Sequence, residues 1–330
     1  MVRSREVHVS TVDNLDETAA PDQGTRRLVL GTFTPLSSYG SVVATSKSSM
    51  AAAREIADSS RRRVDTPVRK SFVRPMTENS GAVAPLATIY SGGRSGAVAV
   101  KLFLALLWRC SSPPFATDKP ARAWATLLDL EDPEGKGLRR VKSAMRTLAD
   151  NNLIELSEQP GYPNVVTLRD ESGSGSAYGL PSSGYSFGKA NRASKDDLAA
   201  HTYFKIPQRL WTEGHMQSLK GPGLVMLLIL LAEQGGEGTK IWFSTDEFPK
   251  RYNISHKTRA AGTKELIEMG LLTVERESLS AGPHHSVFDT HRKRNVYRLT
   301  AIAQTTQTGE AVTSSKRRRK RKKPQRTAQT

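Results

Sequence analysis

Two short runs of the sequence place cationic and hydrogen-bonding side chains at spacings that bring them to one face of a helix. The candidate contact residues are Arg139, Arg140, Lys142, Ser143 and Arg146 in the first run, and His256, Lys257, Arg259, Thr263 and Lys264 in the second. A guanidinium group can donate two parallel hydrogen bonds to guanine, and lysine neutralises phosphate groups. These runs are therefore candidate surfaces for a nucleic acid. The alternative interpretation is a solvated helix face, which is what most basic helix faces are.

The sequence has no pattern typical of a catalytic or metal site. His284, His285 and His291 have no cysteine nearby, and their spacing matches no structural zinc pattern. A rolling-circle nuclease would need two histidines separated by one apolar residue, and His284 and His285 are adjacent. The glycine-rich segment 92–96 is shorter than a P-loop and lacks its lysine. We expect no enzymatic activity, no metal and no cofactor.

Composition favours a polyanionic partner, either a nucleic acid or an anionic membrane surface. The 330 residues have a formal net charge of +17, and the nine basic residues of segment 316–326 leave +8 for the rest. The longest apolar run, 224–232, is too short to span a bilayer. The single cysteine, Cys110, excludes an intramolecular disulfide. We expect a cytoplasmic, nucleoid-associated protein with no membrane partner.

Helix and strand signals surround the second run in a definite order. Ser244 and Glu247 have the spacing of a capping box. Ser255 is a typical N-cap, and Gly270 is a typical C-terminal glycine. The predicted elements are an apolar helix at 224–231, a β-rich segment at 241–243, a short helix after Ser244, a helix at 255–269, and strands at 271–275 and 295–299. Two helices joined by a short turn form a helix-turn-helix, and the hairpin that follows is a wing.

The same order of elements occurs around the first run, shifted by 118 residues. The predicted elements are helices at 97–110, 121–130 and 138–150, and strands at 153–156 and 165–168. Val141, Ala144 and Leu148 are expected to pack inward, and Asn152 stands where a left-handed C-cap belongs. The hairpin between the strands has little charge, so we expect it to contribute less to binding than the second one.

The second run and its flanks resemble the winged-helix fold of bacterial regulators and plasmid replication initiators. The residues that form the resemblance are Ser255-xx-Thr258-xx-Ala261, Leu266 and Met269-Gly270-Leu271-Leu272. The resemblance implies a mainly α fold with small β-hairpin wings (α+β), built from two winged-helix domains. In that fold the third helix enters the major groove of double-stranded DNA. The second wing is expected to contact the minor groove or backbone through Arg292, Lys293 and Arg294.

Composition also predicts how the chain is divided. The predicted segments are a mostly disordered arm at 1–80 that has room for a short helix at 48–57, a first winged-helix domain at 85–170, a flexible Gly/Ser-rich linker at 171–200, a second domain at 201–302, and a disordered basic tail at 303–330. The linker would let the two domains occupy separated sites while they remain tethered.

Three functions stay open at this point. Two winged helices in one chain are similar to plasmid initiators whose domains bind repeated sites at an origin, with replication proteins and a second copy of the chain as further partners. A transcriptional regulator could use the same domains at a promoter, although regulators more often pair identical half-sites through a symmetric dimer. In the third alternative the domains dock proteins within a larger complex, and the basic tail alone contacts DNA.

Overall fold

The computed structural model describes residues 44–59, 65–76, 81–91, 95–235, 240–278 and 293–304. The helices are α1 Lys47–Ser59, α2 Pro85–Ser91, α3 Gly96–Arg109, α4 Ala121–Leu127, α5 Lys136–Asp150, α6 Pro181–Ala190, α7 Lys195–Ala200, α8 Arg209–Thr212, α9 His215–Ser218, α10 Gly221–Glu233, α11 Glu247–Tyr252 and α12 His256–Glu268, with a 3-10 turn at Lys70–Phe72. The strands are β1 Asp65–Arg69, β2 Ala116–Thr117, β3 Ile154–Ser157, β4 Val165–Leu168, β5 Tyr203–Pro207, β6 Leu272–Ser278 and β7 Lys293–Leu299.

The described part of the chain is mainly helical with small antiparallel sheets, so the predicted α+β class is confirmed. One sheet pairs β1 with β5, a second has the order β2-β4-β3, and a third pairs β6 with β7. An isolated bridge joins Ile241 to Tyr297, which adds a short segment to the side of β7. The predicted strand pairs are present: β3 pairs with β4, with Leu156 opposite Val166, and β6 pairs with β7, with Leu272 opposite Leu299.

The first region (85–170) is built around α3, which is apolar along nearly its whole length and almost entirely buried. Helix α5 packs against α3 and α4 through the buried side chains Val141, Ala144 and Leu148, as the spacing predicts. Asn152 ends α5 in the left-handed conformation, with a φ of 56°. The chain therefore turns directly from the helix into β3.

In the second region (201–302) α10 takes the central place and α12 packs on it. Gly262 makes this close approach possible, because a Cβ atom there would lie 2.3 Å from the carbonyl oxygen of Pro222. Ser255 caps α12 as predicted, its hydroxyl accepting from the amide of Thr258 at 3.1 Å. The capping box predicted at Ser244 is wrong, since α11 begins at Glu247 and no side chain caps it.

The N-terminal arm differs from the prediction, because residues 44–59 and 65–76 fold onto both regions. Helix α1 packs against α4 of the first region and α8 of the second, and β1 pairs with β5. Ala53, Val68 and Phe72 are completely buried. The short helix allowed at 48–57 is present as α1, but the order at 65–76 was not predicted because it depends on partners far along the chain, such as β5. The rest of the arm, and the tail beyond Gln304, lie outside the described residues.

The predicted flexible linker is also ordered, and a buried ion pair fixes its start. Glu171 has no exposed surface and contacts the guanidinium group of Arg69, which also lies 3.2 Å from Asp170. Burial raises the pKa of Glu171 to about 7, against the lowering effect of Arg69. Further along, Ser194 caps α7 by accepting from the amide of Asp197. Local capping and this ion pair thus order a segment whose glycine and serine content indicated a coil.

One hydrophobic cluster runs through both regions. Trp108 of α3 and Trp211 of α8 stack with their ring centres 5.6 Å apart, and both are nearly completely buried. Stacked aromatic pairs of this kind stabilise a core beyond the area that they bury. The two regions therefore share a core instead of being separated by a flexible connection.

Candidate nucleic-acid interface

The outer face of α5 presents its polar side chains to solvent. All five candidates of the first run, Arg139, Arg140, Lys142, Ser143 and Arg146, are exposed. The start of the helix is fixed by Asp132, whose carboxylate accepts from the amides of Gly135 and Lys136 at 3.1 and 2.9 Å. A Cβ atom at position 135 would lie 2.3 Å from that carboxylate, so a larger residue there would displace the Asp132 side chain from its hydrogen bonds. The sequence thus orients α5 by a local turn as well as by its apolar face.

The cations of this face are not neutralised within the protein. Of the described acidic side chains, none lies within ion-pair distance of Arg139, Arg140, Lys142 or Arg146. The helix has five cationic side chains and one acidic side chain. Like charges held this close repel one another, so an approaching polyanion lowers the electrostatic energy of the helix.

A groove of about 640 Å³ lies between α5 and the β3–β4 hairpin. Its lining includes the apolar side chains Leu138, Met145 and Leu156, the cations Lys119, Arg122, Lys142 and Arg146, the acid Glu158, and Tyr162 at the hairpin tip. The sequence analysis missed Lys119, Arg122 and Tyr162. For Tyr162 the sequence does contain a signal, since an aromatic residue between the turn residues Gly161 and Pro163 is expected at an exposed hairpin tip. For Lys119 and Arg122 there is none, because no local pattern indicates that they lie near α5.

Arg259 of the second run is half-buried and is turned toward an aromatic cluster, which corrects its predicted outward position. Its guanidinium carbon lies 4.8 to 5.7 Å from the ring centres of Phe248, Phe243 and Tyr297. It also donates to the hydroxyl of Tyr297 at 3.0 Å and is 3.4 Å from the carbonyl oxygen of Phe243. Cation–π contacts and hydrogen bonds together hold the group in this aromatic cage, so Arg259 is not free to contact a base.

The other candidates of α12 are divided between exposed and engaged side chains. His256 and Lys257 are exposed, as predicted. Lys264 is exposed but lies 3.8 Å from Glu268, one turn along the same helix. Thr263 is half-buried, and its hydroxyl is buried without a hydrogen-bond partner within the described part of the chain. The outer face of α12 therefore offers fewer free cations than that of α5.

In the second hairpin, one of the cations predicted to contact DNA, Arg294, is instead engaged by side chains of the protein. Arg294 makes two contacts with one carboxylate oxygen of Glu277, at 2.8 and 3.1 Å, and its guanidinium carbon lies 5.3 Å from the ring centre of Trp242. Hydrogen bonds from Lys240 and Arg294 hold the pKa of Glu277 below its usual value. Lys293 is exposed. Arg292, His284, His285 and His291 lie outside the described residues.

A buried lysine lies between the two candidate helices. Lys101 of α3 is 8% exposed, and its ammonium group donates to the carbonyl oxygen of Gln217 at 2.7 Å. Burial lowers the pKa of Lys101 to about 8. Glu265 of α12 raises this pKa and Arg140 of α5 lowers it further. Lys101 is thus within electrostatic reach of both helices.

Comparison of the chain with protein-family models, with curated proteins and with solved structures gave no match.

Within the described ranges no group of three or more His, Cys, Asp or Glu side chains is arranged to hold a metal ion. None of the described helices has the length and apolar character required to cross a membrane. Burial raises the pKa of the Cys110 thiol to about 12, so this cysteine has little thiolate character.

Proposed function

We propose that this chain is a sequence-specific double-stranded DNA-binding protein with two winged-helix domains, at 85–170 and 201–302, and that it acts without catalysis and without a cofactor. The observation that supports this function best is the outer face of α5. The four cations Arg139, Arg140, Lys142 and Arg146 are exposed and have no described acidic partner, and Lys142 and Arg146 line the groove beside the β3–β4 hairpin, an arrangement that suits the base edges and phosphates of a major groove.

The order of elements supports the winged-helix assignment. In the first region a helix, a short strand, two helices and two strands follow one another, and the short strand β2 pairs with the last strand, β4. In the second region the bridge from Ile241 to Tyr297 puts a short segment in the same relation to the last strand, β7. An arrangement that recurs twice in one chain favours a common fold over a chance order of elements.

Within this function we propose replication initiation of a plasmid or mobile element, in the cytoplasm at the nucleoid, with replication proteins and a second copy as further partners. The two helices that would contact DNA differ in charge, so a single chain presents two unlike surfaces and suits a site without internal symmetry. Regulators that act through symmetric dimers present two identical ones. The alternative is transcriptional regulation, which the replication and footprinting experiments below distinguish from initiation.

Binding-site selection with the full chain tests the DNA-binding function. We expect enrichment of one duplex sequence, bound at least 1000-fold more tightly than random duplex. The selection is repeated on a variant that ends at Ser315, which lacks the basic segment 316–326. If specific affinity disappears with that segment, the domains only dock proteins and the proposal is wrong.

Two further measurements separate the proposed roles. A circular DNA with the gene and its flanking sequence should replicate in a host without another initiator, and an α5 variant with Arg139→Ala and Arg146→Ala should abolish replication. Genome-wide footprinting should give one cluster of sites beside the gene. Scattered promoter sites with no replication, at normal protein levels, would instead indicate a regulator.

A further inference from the structure

The tip of the β3–β4 hairpin holds an aromatic ring in solvent on a rigid turn. The amide of Tyr162 donates to the carbonyl oxygen of Gln159 at 3.1 Å, and Gly161 between them has a φ of 78°. Proline followed by a left-handed glycine is typical of a type II turn, whose backbone has little freedom. Tyr162 is 76% exposed. The turn therefore fixes the backbone at Tyr162, whose ring gains almost nothing from burial in the protein.

Tyr162 lines the groove beside α5, which has cations on two sides and one acidic side chain, Glu158. Lys119 lies just before α4 and Arg122 in its first turn, while Lys142 and Arg146 come from α5. Lys119 lies 3.8 Å from Glu55 and Arg122 lies 3.9 Å from Glu134, but both pairs are largely exposed. Exposed pairs of this kind contribute little, so a phosphate group can replace the carboxylates.

We propose that this groove holds one DNA strand beside the major groove that α5 enters, with Tyr162 as a further DNA-contacting residue. The phosphates of the strand lie between the cations of α4 and those of α5, and the tyrosine ring packs against a deoxyribose and the edge of its base. The inference rests on the proposed function and reverses the expectation that the uncharged hairpin contributes little. It adds Tyr162, Lys119 and Arg122 to the contact surface.

Substitution of Tyr162 tests the inference on the full chain, with the fluorescein-labelled duplex that the binding-site selection recovers. Tyr162→Ala should lower affinity for that duplex about tenfold, because it removes an aromatic side chain packed at the interface. Tyr162→Phe, which keeps the ring, should bind within about twofold of the unsubstituted chain. The matched control is Phe187→Ala, which removes a ring that is 73% exposed on α6, away from the groove, and should have no effect.

Lys119 and Arg122 allow an independent test, through the salt dependence of the affinity. Substitution of both Lys119 and Arg122 by alanine should reduce the slope of log affinity against log salt by about two, one for each lost phosphate contact. The same double change at Lys189 and Arg192, which are exposed on and after α6, should leave the slope unchanged. An unchanged affinity for Tyr162→Ala, or an equal loss for Phe187→Ala, overturns the inference and leaves the proposed function intact. Failure of the unsubstituted chain to prefer any duplex overturns both.

Discussion

Helices α5 and α12 occupy equivalent places in the two regions but use their cations differently. α5 has five cationic side chains and one acidic side chain; Lys136 lies 3.9 Å from Glu131, while Arg139, Arg140, Lys142 and Arg146 have no acidic partner among the described residues. α12 has three cationic and two acidic side chains, and Arg259 is held in an aromatic cage while Lys264 lies near Glu268. The difference shows that a cation counted in the sequence is available to a ligand only if nothing in the fold engages it first.

The offset of 118 residues between the regions explains the difference position by position. Arg259 matches Val141, which is completely buried, so the repeat itself assigns an inward position to this arginine. Lys142 and Ser143 match Ala260 and Ala261, which present no polar group. The two helices therefore share a way of packing but not a binding surface, and we expect α5 to supply most of the DNA affinity.

Comparing α5 with α12 within one molecule assumes that the two regions unfold together as one cooperative unit. Trp211→Ala should lower the free energy of unfolding by about 4 kcal/mol, because it removes a buried indole from the stack with Trp108. Urea unfolding should give one transition, with the same midpoint by tryptophan fluorescence and by far-ultraviolet circular dichroism. Trp242→Ala is the control, since that ring is 51% exposed. Two separate transitions would show that the regions fold independently.

The pKa of Lys101 is affected by charges on both helices, and it predicts how the free energy of unfolding depends on pH. Its pKa is lowered by burial to about 8 in the folded state, so the unfolded chain binds more protons between pH 8 and the ordinary lysine value near 10.5. The free energy of unfolding attributable to Lys101 should therefore rise with pH across this interval, by about 3 kcal/mol in total. Lys101→Met should remove the rise. Urea titrations of both proteins from pH 7 to 10.5 measure it, and parallel pH profiles would contradict the assignment.

Matched double substitutions compare the two helices directly. Arg139→Ala with Arg146→Ala on α5 should lower affinity for the selected duplex about 100-fold, from two charged contacts of somewhat over 1 kcal/mol each. The equivalent positions on α12 are Lys257 and Lys264, and the same change there should cost less than about tenfold. Fluorescence anisotropy at one fixed salt concentration makes the comparison. Equal losses would mean that both helices contribute alike.

Substitution of Arg259 tests whether this cation stabilises the fold or contacts DNA. Arg259→Ala should lower the free energy of unfolding by about 2 kcal/mol, because the cage loses its cation–π contacts and the hydroxyl of Tyr297 loses a donor. The affinity of the folded variant for the selected duplex should change by less than about threefold. Urea unfolding and anisotropy on the same sample test both statements. A large loss of affinity without a loss of stability would restore Arg259 to the binding surface.

The local features of the fold could be predicted from the sequence. The cap at Ser255, the left-handed residues Asn152 and Gly270, and the strand pairs of both hairpins follow from short-range rules and are present in the structure. The same holds for the outward positions of α5, because an apolar stripe at helical spacing determines which side chains remain exposed.

Features that depend on distant partners could not be predicted. The caging of Arg259 depends on Phe243 and Tyr297, which only the fold brings together. Glu171 is buried by its ion pair with Arg69, 102 residues earlier in the chain, and so composition alone misled the assignment of a linker. The groove at Tyr162 was missed for a related reason, since α4 and the hairpin meet only in three dimensions.

The placement of α1 across both regions has a consequence for how the protein is made. Its neighbour Thr45 bonds to the carbonyl oxygen of Gly214, 169 residues later, while Ser49 bonds to Leu127. At a synthesis rate of about 5 to 20 residues per second, the helix waits on the order of ten seconds for its last partners to leave the ribosome. During that interval the apolar side of α1, including Ala53 and Ile56, has only part of its final cover. The nascent chain is then most exposed to aggregation or to capture by a chaperone.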